Sequence, residues 1–319
     1  MKKILLTGGA GYIGTRFCQE YSDIYKITVL DNFWFGDNLP ENVTKVKKDI
    51  SKINEKDLDG YDVVIFMAGL SNDPMASFRP DLNFVENSAV PTYLAYMSKQ
   101  VGIKKFIGAS SCSVYGFTKN KTLTENSNLK PSYPYGVSKL QFERGIMLLE
   151  DDNFKPVLLR KGTVGGWSKR MRFDLVVNTM IMTALTKKQI IVNNSNLWRP
   201  LIDIRDVVGA YKSVIESDDN ISGIYNLSGN NFTIGELGNI IHDILLQNDI
   251  NVDLVINNVE DFRNYKVATN LIEDVFQFFP KYHPSDTVSE ILQYVLTDNF
   301  DFTNDMFYNI NTFKRVVGD

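Results

Sequence analysis

The sequence predicts an α/β fold built on a doubly wound parallel sheet, and three features of its first half carry that prediction. Short β-branched or apolar runs alternate with longer helical segments, the rhythm of strands joined by crossover helices. The runs lack strict polar–apolar alternation, as strands buried on both faces do. The first run leads directly into a glycine-rich turn and a helical pattern.

Taken in order, the runs are Ile4–Thr7, Ile27–Leu30, Val43–Lys47, Val63–Met67, Lys105–Ala109 and Val157–Arg160, with helical stretches near Asp81–Val101 and Tyr135–Leu149. Beyond Arg160 the rhythm loosens. Strand-like pieces stand at Gln189–Val192, Ile224–Leu227 and Val252–Ile256, and helical patches at Ile234–Leu246 and Thr287–Leu296. This change divides the chain into a nucleotide-binding domain, 1–163, and a smaller mixed α/β domain, 164–319, with segments near 200–227 returning to the first. The Asn/Asp-rich stretch Asp298–Asp305 reads as a loop, with Phe300, Phe302, Phe307 and Tyr308 packing on the body.

A chain of 319 residues can bury a substantial core in one large or two closely associated domains. The net charge of −4 argues against a nucleic-acid partner. It leaves room for an anionic small molecule, because a few local arginines suffice to bind a diphosphate. Two cysteines, Cys18 and Cys112, cannot make a disulfide framework and fit a reducing compartment. His242 and His283 do not stand at metal-ligand spacing, and no metal is expected. Met1–Leu6 imitates a signal peptide, but its apolar run stops at Thr7-Gly8-Gly9. No stretch approaches the roughly 18 apolar residues of a membrane span. A cytoplasmic protein is expected.

Glycines at 8, 11 and 14 give G-x-x-G-x-x-G at the end of the first strand. Such a turn lets the main chain, here with Tyr12 and Ile13, approach a pyrophosphate at a helix N-terminus. The second strand ends at Asp31, followed by Asn32 and Phe33. An acidic residue roughly 20 positions beyond the glycines is placed to bind the adenosine ribose hydroxyls. It would repel a 2′-phosphate, and no arginine follows in 32–37, so the pattern favours NAD over NADP. Asp49 and Ile50, after the third strand, would lie beside the adenine.

Tyr135 and Lys139 form Y-x-x-x-K, one helical turn apart on a shared face. A tyrosine near its free pKa of about 10 is a poor base at neutral pH. A nearby ammonium, together with the positive nicotinamide of NAD⁺, favours the phenolate. Ser111 ends a buried strand 24 residues before Tyr135, at the sheet edge where ligands of such folds bind.

With these residues in place the chain resembles the extended short-chain dehydrogenase/reductase family, a Rossmann-type fold, and within it the nucleotide-sugar epimerases and dehydratases. The elements Thr7-Gly8…Gly11…Gly14, Asp31-Asn32, Ala68-Gly69-Leu70, Asn87, Ser111…Tyr115-Gly116, Tyr135…Lys139 and Trp198–Val207 fall in family order. The resemblance implies that Tyr135 is the acid/base on a sugar hydroxyl and that Ser111 binds the reacting oxygen. Lys139 would hold the nicotinamide ribose and tune Tyr135. Met67, Ala68, Gly69 and Asn87 would line the cofactor, and Arg199 and Arg263, helped by Asn178, would bind the substrate diphosphate. It also implies a homodimer paired through the helices near Asp81–Val101 and Tyr135–Leu149.

Departures from the family narrow the chemistry. Relatives that remove water between sugar C5 and C6 carry Asp-Glu just after the catalytic Ser/Thr; here Cys112 and Ser113 stand there, which disfavours 4,6-dehydration. Where an asparagine often follows the sixth strand, this chain has Lys161-Gly162-Thr163, and Thr163 remains a donor to phosphate or sugar. Ser113 is a further substrate candidate. The remaining expectation is reversible oxidation at a sugar carbon, C4, ending in epimerisation or in net dehydrogenation. A decarboxylase or lyase acting on a sugar acid would call for an added arginine and carboxylate in the pocket. A non-catalytic NAD-binding regulator would have no need of the Tyr–Lys pair.

Overall fold

The computed structural model describes residues 1–118, 121–259, 264–297 and 300–318. Its centre is a seven-stranded, all-parallel sheet. Five strands come early: β1 (Lys3–Thr7), β2 (Lys26–Asp31), β3 (Thr44–Lys47), β4 (Val63–Phe66) and β5 (Lys105–Ser111). After the short β6 (Thr122–Leu123), β7 (Lys155–Lys161) and β11 (Gly223–Leu227) complete the spatial order β11-β7-β5-β4-β1-β2-β3.

Successive residues of a strand point to opposite faces, and the sheet buries both. Ile4, Leu6, Val29, Ile65, Ile107 and Leu159 enter one core cluster, which also takes Phe17 of α1 (Tyr12–Tyr21) and Val207 of α7 (Ile204–Glu216). Leu5, Leu30, Val64, Phe66, Phe106 and Leu158 enter the other, with Leu94 of α4 (Val90–Gln100) and Phe142 of α5 (Pro134–Met147). This is why the strands read as nearly continuous apolar runs.

The stretch Asp81–Val101 is not one helix. After α2 (Asp73–Phe78) come α3 (Pro80–Phe84), a π-helical turn at Val85–Ala89, and then α4. Pro91 has no N–H to return to the residue four before it, and the preceding turn widens. Of the apolar positions available for self-association, Leu94, Met97, Phe142 and Ile146 are buried under the sheet, while Tyr93 is 58% exposed.

The later part forms β8 (Thr163–Gly165), β10 (Trp198–Asp203) and β12 (Asn231–Thr233) in one small sheet. The pair β9 (Gln189–Asn193) with β13 (Asp253–Asn257) and the pair β6 with β14 (Lys266–Val267) stand beside it. Helices α6 (Val176–Lys187), α8 (Ile234–Gln247), α9 (Asn270–Phe276) and α10 (Pro284–Thr297) complete this part. Phe276 of α9 meets Tyr225 edge-on at 4.9 Å, covering the β11 margin of the main sheet. At the other margin β3 exposes Lys45 and Lys47. Phe300, Phe302, Phe307 and Tyr308 pack around Phe173. The chain then forms α11 (Asn309–Val317), a helix that the sequence pattern did not mark; its Phe313 packs on Trp34 and Phe78. No helix among the described residues is long and apolar enough to cross a membrane.

Candidate active site

A cavity of about 630 Å³ opens at the carboxyl ends of β1, β2, β4, β5 and β7, where ligands of open parallel sheets bind. At β1 the chain turns through Gly8 with φ +74°, and a Cβ there would collide with the backbone of Ala68 in the loop after β4. Gly11 is the N-cap of α1 and offers no side-chain cap. The first N–H groups of α1 are therefore left for an anion. Gly8, Gly11, Tyr12, Ile13 and Gly14 all face the cavity.

Asp31 stands at its rim with both carboxylate oxygens fixed: Ala10 N–H donates to Oδ2 (3.0 Å) and Phe33 N–H to Oδ1 (2.8 Å). Burial raises its pKa, and these backbone donors oppose the rise. Asn32, Ile50, Met67, Ala68 and Gly69 also border the space. Three expected cofactor contacts are not among the residues that line the cavity. Phe33 gives only its N–H to Asp31 while its ring joins the main core. Asp49 caps its own turn, accepting from Ser51 N–H (2.9 Å) and hydroxyl (2.7 Å). Asn87 is fully buried behind Gly69, donating to Leu70 O and Asn83 Oδ1 (both 2.8 Å).

The catalytic candidates converge from β5 and α5. Ser111 ends β5 and borders the cavity with Tyr135, close enough that its hydroxyl lowers the pKa of the Tyr135 phenol. Ser111 Oγ also donates to Ser113 Oγ (3.0 Å), another cavity residue. Burial pushes the Tyr135 phenol up to about 12, opposed first by the Arg172 guanidinium. Lys139 lies one turn further along α5; its Nζ donates to Ala109 O (3.0 Å) and stands 5.8 Å from the Tyr135 ring centre. Burial lowers the Lys139 ammonium to about 8, against the charge of Glu143.

A closed polar network underpins this trio. Arg160 on β7 gives two hydrogen bonds to Glu143 on α5 (2.8 and 2.7 Å) and one to Tyr115 (2.9 Å). Ser110 donates to Glu143 (2.5 Å), and Tyr115 to Asn226 on β11 (2.6 Å). All five residues are buried. Ser110 adjoins Ser111, and Glu143 follows Lys139 by one turn, so the network fixes β5 and α5 relative to each other. Cys112 is buried in the same region, donates to Arg160 O (3.1 Å), and does not border the cavity; burial raises its thiol pKa.

Among the substrate candidates, Thr163 and Arg199 face the cavity from β8 and β10. Asn178 is fully buried on α6 and holds neighbours in place: it donates to Tyr12 OH (3.2 Å) and Arg172 O (2.9 Å) and accepts from Gly166 N–H (3.2 Å). Arg263 lies outside the described residues. Sequence reasoning missed a cationic wall. Lys161 borders the cavity, and burial, then Lys139 and Arg172, lower its ammonium to about 7. Arg172 is paired twice with Asp174 (2.9 and 2.8 Å), which Asn72 also reaches (2.6 Å). Burial lowers Arg170 to about 9. The sequence marked Lys161 and the segment Ser168–Asn178 only as departures or resemblances within the family, and gave these side chains no role.

A parallel sheet with a glycine turn after its first strand, and a Ser–Tyr–Lys set on β5 and α5, define the class: an extended short-chain dehydrogenase/reductase. The chain belongs to the NAD dependent epimerase/dehydratase family, whose model matches residues 4–228. It is 32% identical over 180 residues to a UDP-glucose 4-epimerase of Bacillus subtilis (strain 168), over 49% of this chain and 51% of that protein. A putative UDP-glucose 4-epimerase of Methanocaldococcus jannaschii is 29% identical over 255 residues, 76% of this chain and 82% of its own. The chain spans about half the length of several curated relatives that it matches. Among solved structures, the UDP-N-acetylglucosamine 4-epimerase from Methanobrevibacter ruminantium M1 in complex with UDP-N-acetylmuramic acid superposes with a TM-score of 0.81 at 27% identity. It covers 92% of this chain and 98% of that one.

Proposed function

We propose that the protein is an NAD-dependent enzyme acting on a nucleotide-diphosphate sugar, oxidising a ring hydroxyl, at C4, and returning it in the other configuration. The observation that carries this reading is that Ser111, Tyr135 and Lys139 line the same cavity as the glycine turn and Asp31. The residues fit a dinucleotide. Asp31 offers a fixed carboxylate to ribose hydroxyls, the uncapped N-terminus of α1 suits a pyrophosphate, and Lys139 suits the second ribose. NAD, when bound, accepts hydride from the sugar carbon and gives it back.

The chain's own part is to position and to move a proton. Ser111 Oγ holds the reacting oxygen, and Tyr135 Oη takes its proton and later returns it. We assign 164–319 to substrate binding and 1–163 to the cofactor; Arg199 serves the substrate from the former, and Thr163 from the very end of the latter. A sugar-acid decarboxylase or lyase gains some support from Arg172 and Asp174, but these two already satisfy one another. Their closed pairing favours the epimerase. The exposed rings of Tyr93 and Tyr96, stacked at 6.5 Å on α4, support a homodimer through α4 and α5; light scattering showing a concentration-independent monomer would exclude it. The buried free thiols Cys18 and Cys112 suit the cytoplasm.

The test is to identify dinucleotide and sugar nucleotide retained on purification by mass spectrometry, then to follow a panel of nucleotide sugars by NMR. Inversion at C4 without net NADH release is expected. Accumulation of NADH and a free keto sugar would make the protein a dehydrogenase. Absence of any bound or turned-over nucleotide sugar would end the reading.

A further inference from the structure

Arg170 is 1% exposed, borders the cavity, and has no ion pair among the described residues. Its Nη2 donates to Asn309 Oδ1 and its Nη1 to Met171 O (3.3 Å), while Nε–H has no partner. Its guanidinium carbon stands over the ring of Phe35, in the loop that follows Asp31, 3.7 Å from the centroid. Three other buried arginines have carboxylate partners: Arg16 meets Glu290, Arg160 meets Glu143 and Arg172 meets Asp174. A buried charge left without a partner costs several kcal/mol. Asp174 and Asp31 act on Arg170 only from beyond ion-pair distance, so an anion entering the cavity would meet a guanidinium that has no ion pair among the described residues.

We propose that Arg170 is a ligand of the dinucleotide's pyrophosphate, reaching it from the side of the cavity opposite the N-terminus of α1. The inference rests on the NAD reading above and adds to it a cation from beyond the glycine turn. Arg170 shares the cavity wall with Asp31, Phe35, Tyr12 and Gly11, and Asp174, Asp31 and Tyr12 all act on its charge. A guanidinium fork suits phosphate oxygens. A 2′-phosphate is the poorer candidate, because it would have to settle against the fixed Asp31 carboxylate. Asn309 extends the contact, donating to Ser71 Oγ (2.6 Å). One string of bonds thus joins the 170 segment, the start of α11 and the loop after β4, and the anion completes it.

The test compares ADP-ribose, ADP, adenosine and 2′,5′-ADP by calorimetry on protein stripped of dinucleotide, as wild type, Arg170→Gln and Arg170→Lys. Arg170→Gln should weaken ADP and ADP-ribose at least tenfold and leave adenosine unchanged, with Arg170→Lys in between. The ligand-free melting temperature of Arg170→Gln should equal or exceed that of wild type, as expected when an unpaired buried charge is removed. Unchanged ADP-ribose affinity in Arg170→Gln overturns the assignment, as does an equal loss for adenosine or a larger loss for 2′,5′-ADP than for ADP. If Arg170→Gln fails to fold, Arg170→Lys decides: a selective loss for ADP supports the proposal and no loss refutes it. If wild type binds none of the four, the NAD reading falls as well.

Discussion

Two groups of buried charges, which include Glu143 and Lys139 one turn apart on α5, are built on opposite terms. The first, Glu143 with Arg160, Ser110, Tyr115 and Asn226, is closed: the guanidinium and carboxylate meet in two hydrogen bonds and the remaining polar atoms are partnered. Burial alone would lower the Arg160 pKa, but the Glu143 bonds and charge outweigh it and the net shift is upward. The second group, Lys139, Lys161 and Arg170, is open: three cations beside one cavity, each lowered by burial and none in an ion pair with a carboxylate among the described residues. The difference separates scaffold from site. A closed buried pair holds elements in register, and an open one stores unfavourable energy that a ligand can relieve.

The sharpest way to break this comparison is Arg160→Met, which strands Glu143 in the core. Loss of one partner of such a pair costs about 3–5 kcal/mol, and urea unfolding should show it. Glu143→Leu combined with Arg160→Met should recover much of that loss. A cost below about 1 kcal/mol for Arg160→Met would mean that the closed network is not what fixes α5 to β5.

Tyr135→Phe probes the open side without disturbing the closed one. It should lower turnover by about 10²–10⁴-fold, the usual loss when a general acid/base is removed, and leave dinucleotide affinity nearly intact. Wild-type rates on a confirmed substrate would remove Tyr135 from that role.

Lys139→Met should stabilise the ligand-free protein at pH 7 while weakening dinucleotide binding. The folded pKa of Lys139 is about 8, below the ordinary 10.5. Between those values the unfolded chain holds more protons, so the wild type gains stability as pH rises through that window. The penalty is complete below pH 8, and the variant's advantage, on the order of 1–3 kcal/mol, should fade toward pH 10.5. Thermal melts at pH 7 and 10 test this, and a variant less stable at both pH values refutes it.

The smallest effect belongs to Asp31, whose partners are backbone donors. Asp31→Asn should weaken NAD by about tenfold, the worth of one hydrogen bond to a charged group, and narrow the gap to NADP. Equal NAD and NADP affinities in the wild type would remove Asp31 from this role.

The contrast also marks what the sequence could disclose. Gly8–Gly14 and Asp31 were legible because each rests on a strand end that the apolar runs announce. Tyr135 and Lys139 were legible because one helix carries both. Arg170, Arg172, Asp174 and Lys161 were not, since Arg170 meets Asn309 across 139 residues and no local pattern encodes that meeting. Asp49, Phe33 and Asn87 stood at family positions, yet side-chain direction set their roles: one caps a turn, one joins the core and one backs Gly69. The π-helical turn before Pro91 and the closing helix α11 escaped for the same reason, as both depend on tertiary packing.

The open sheet has two margins, and they are guarded by different means. One is shielded by the Phe276–Tyr225 contact, while β3 at the other holds up Lys45 and Lys47 to solvent. An unpaired strand margin invites another chain to add to it, and lysines on the outermost strand make that addition electrostatically unfavourable. In a crowded cell this margin therefore protects the chain from polymerising through its own backbone. Substitutions that neutralise Lys45 and Lys47 would be felt first in yield and solubility, with catalysis untouched.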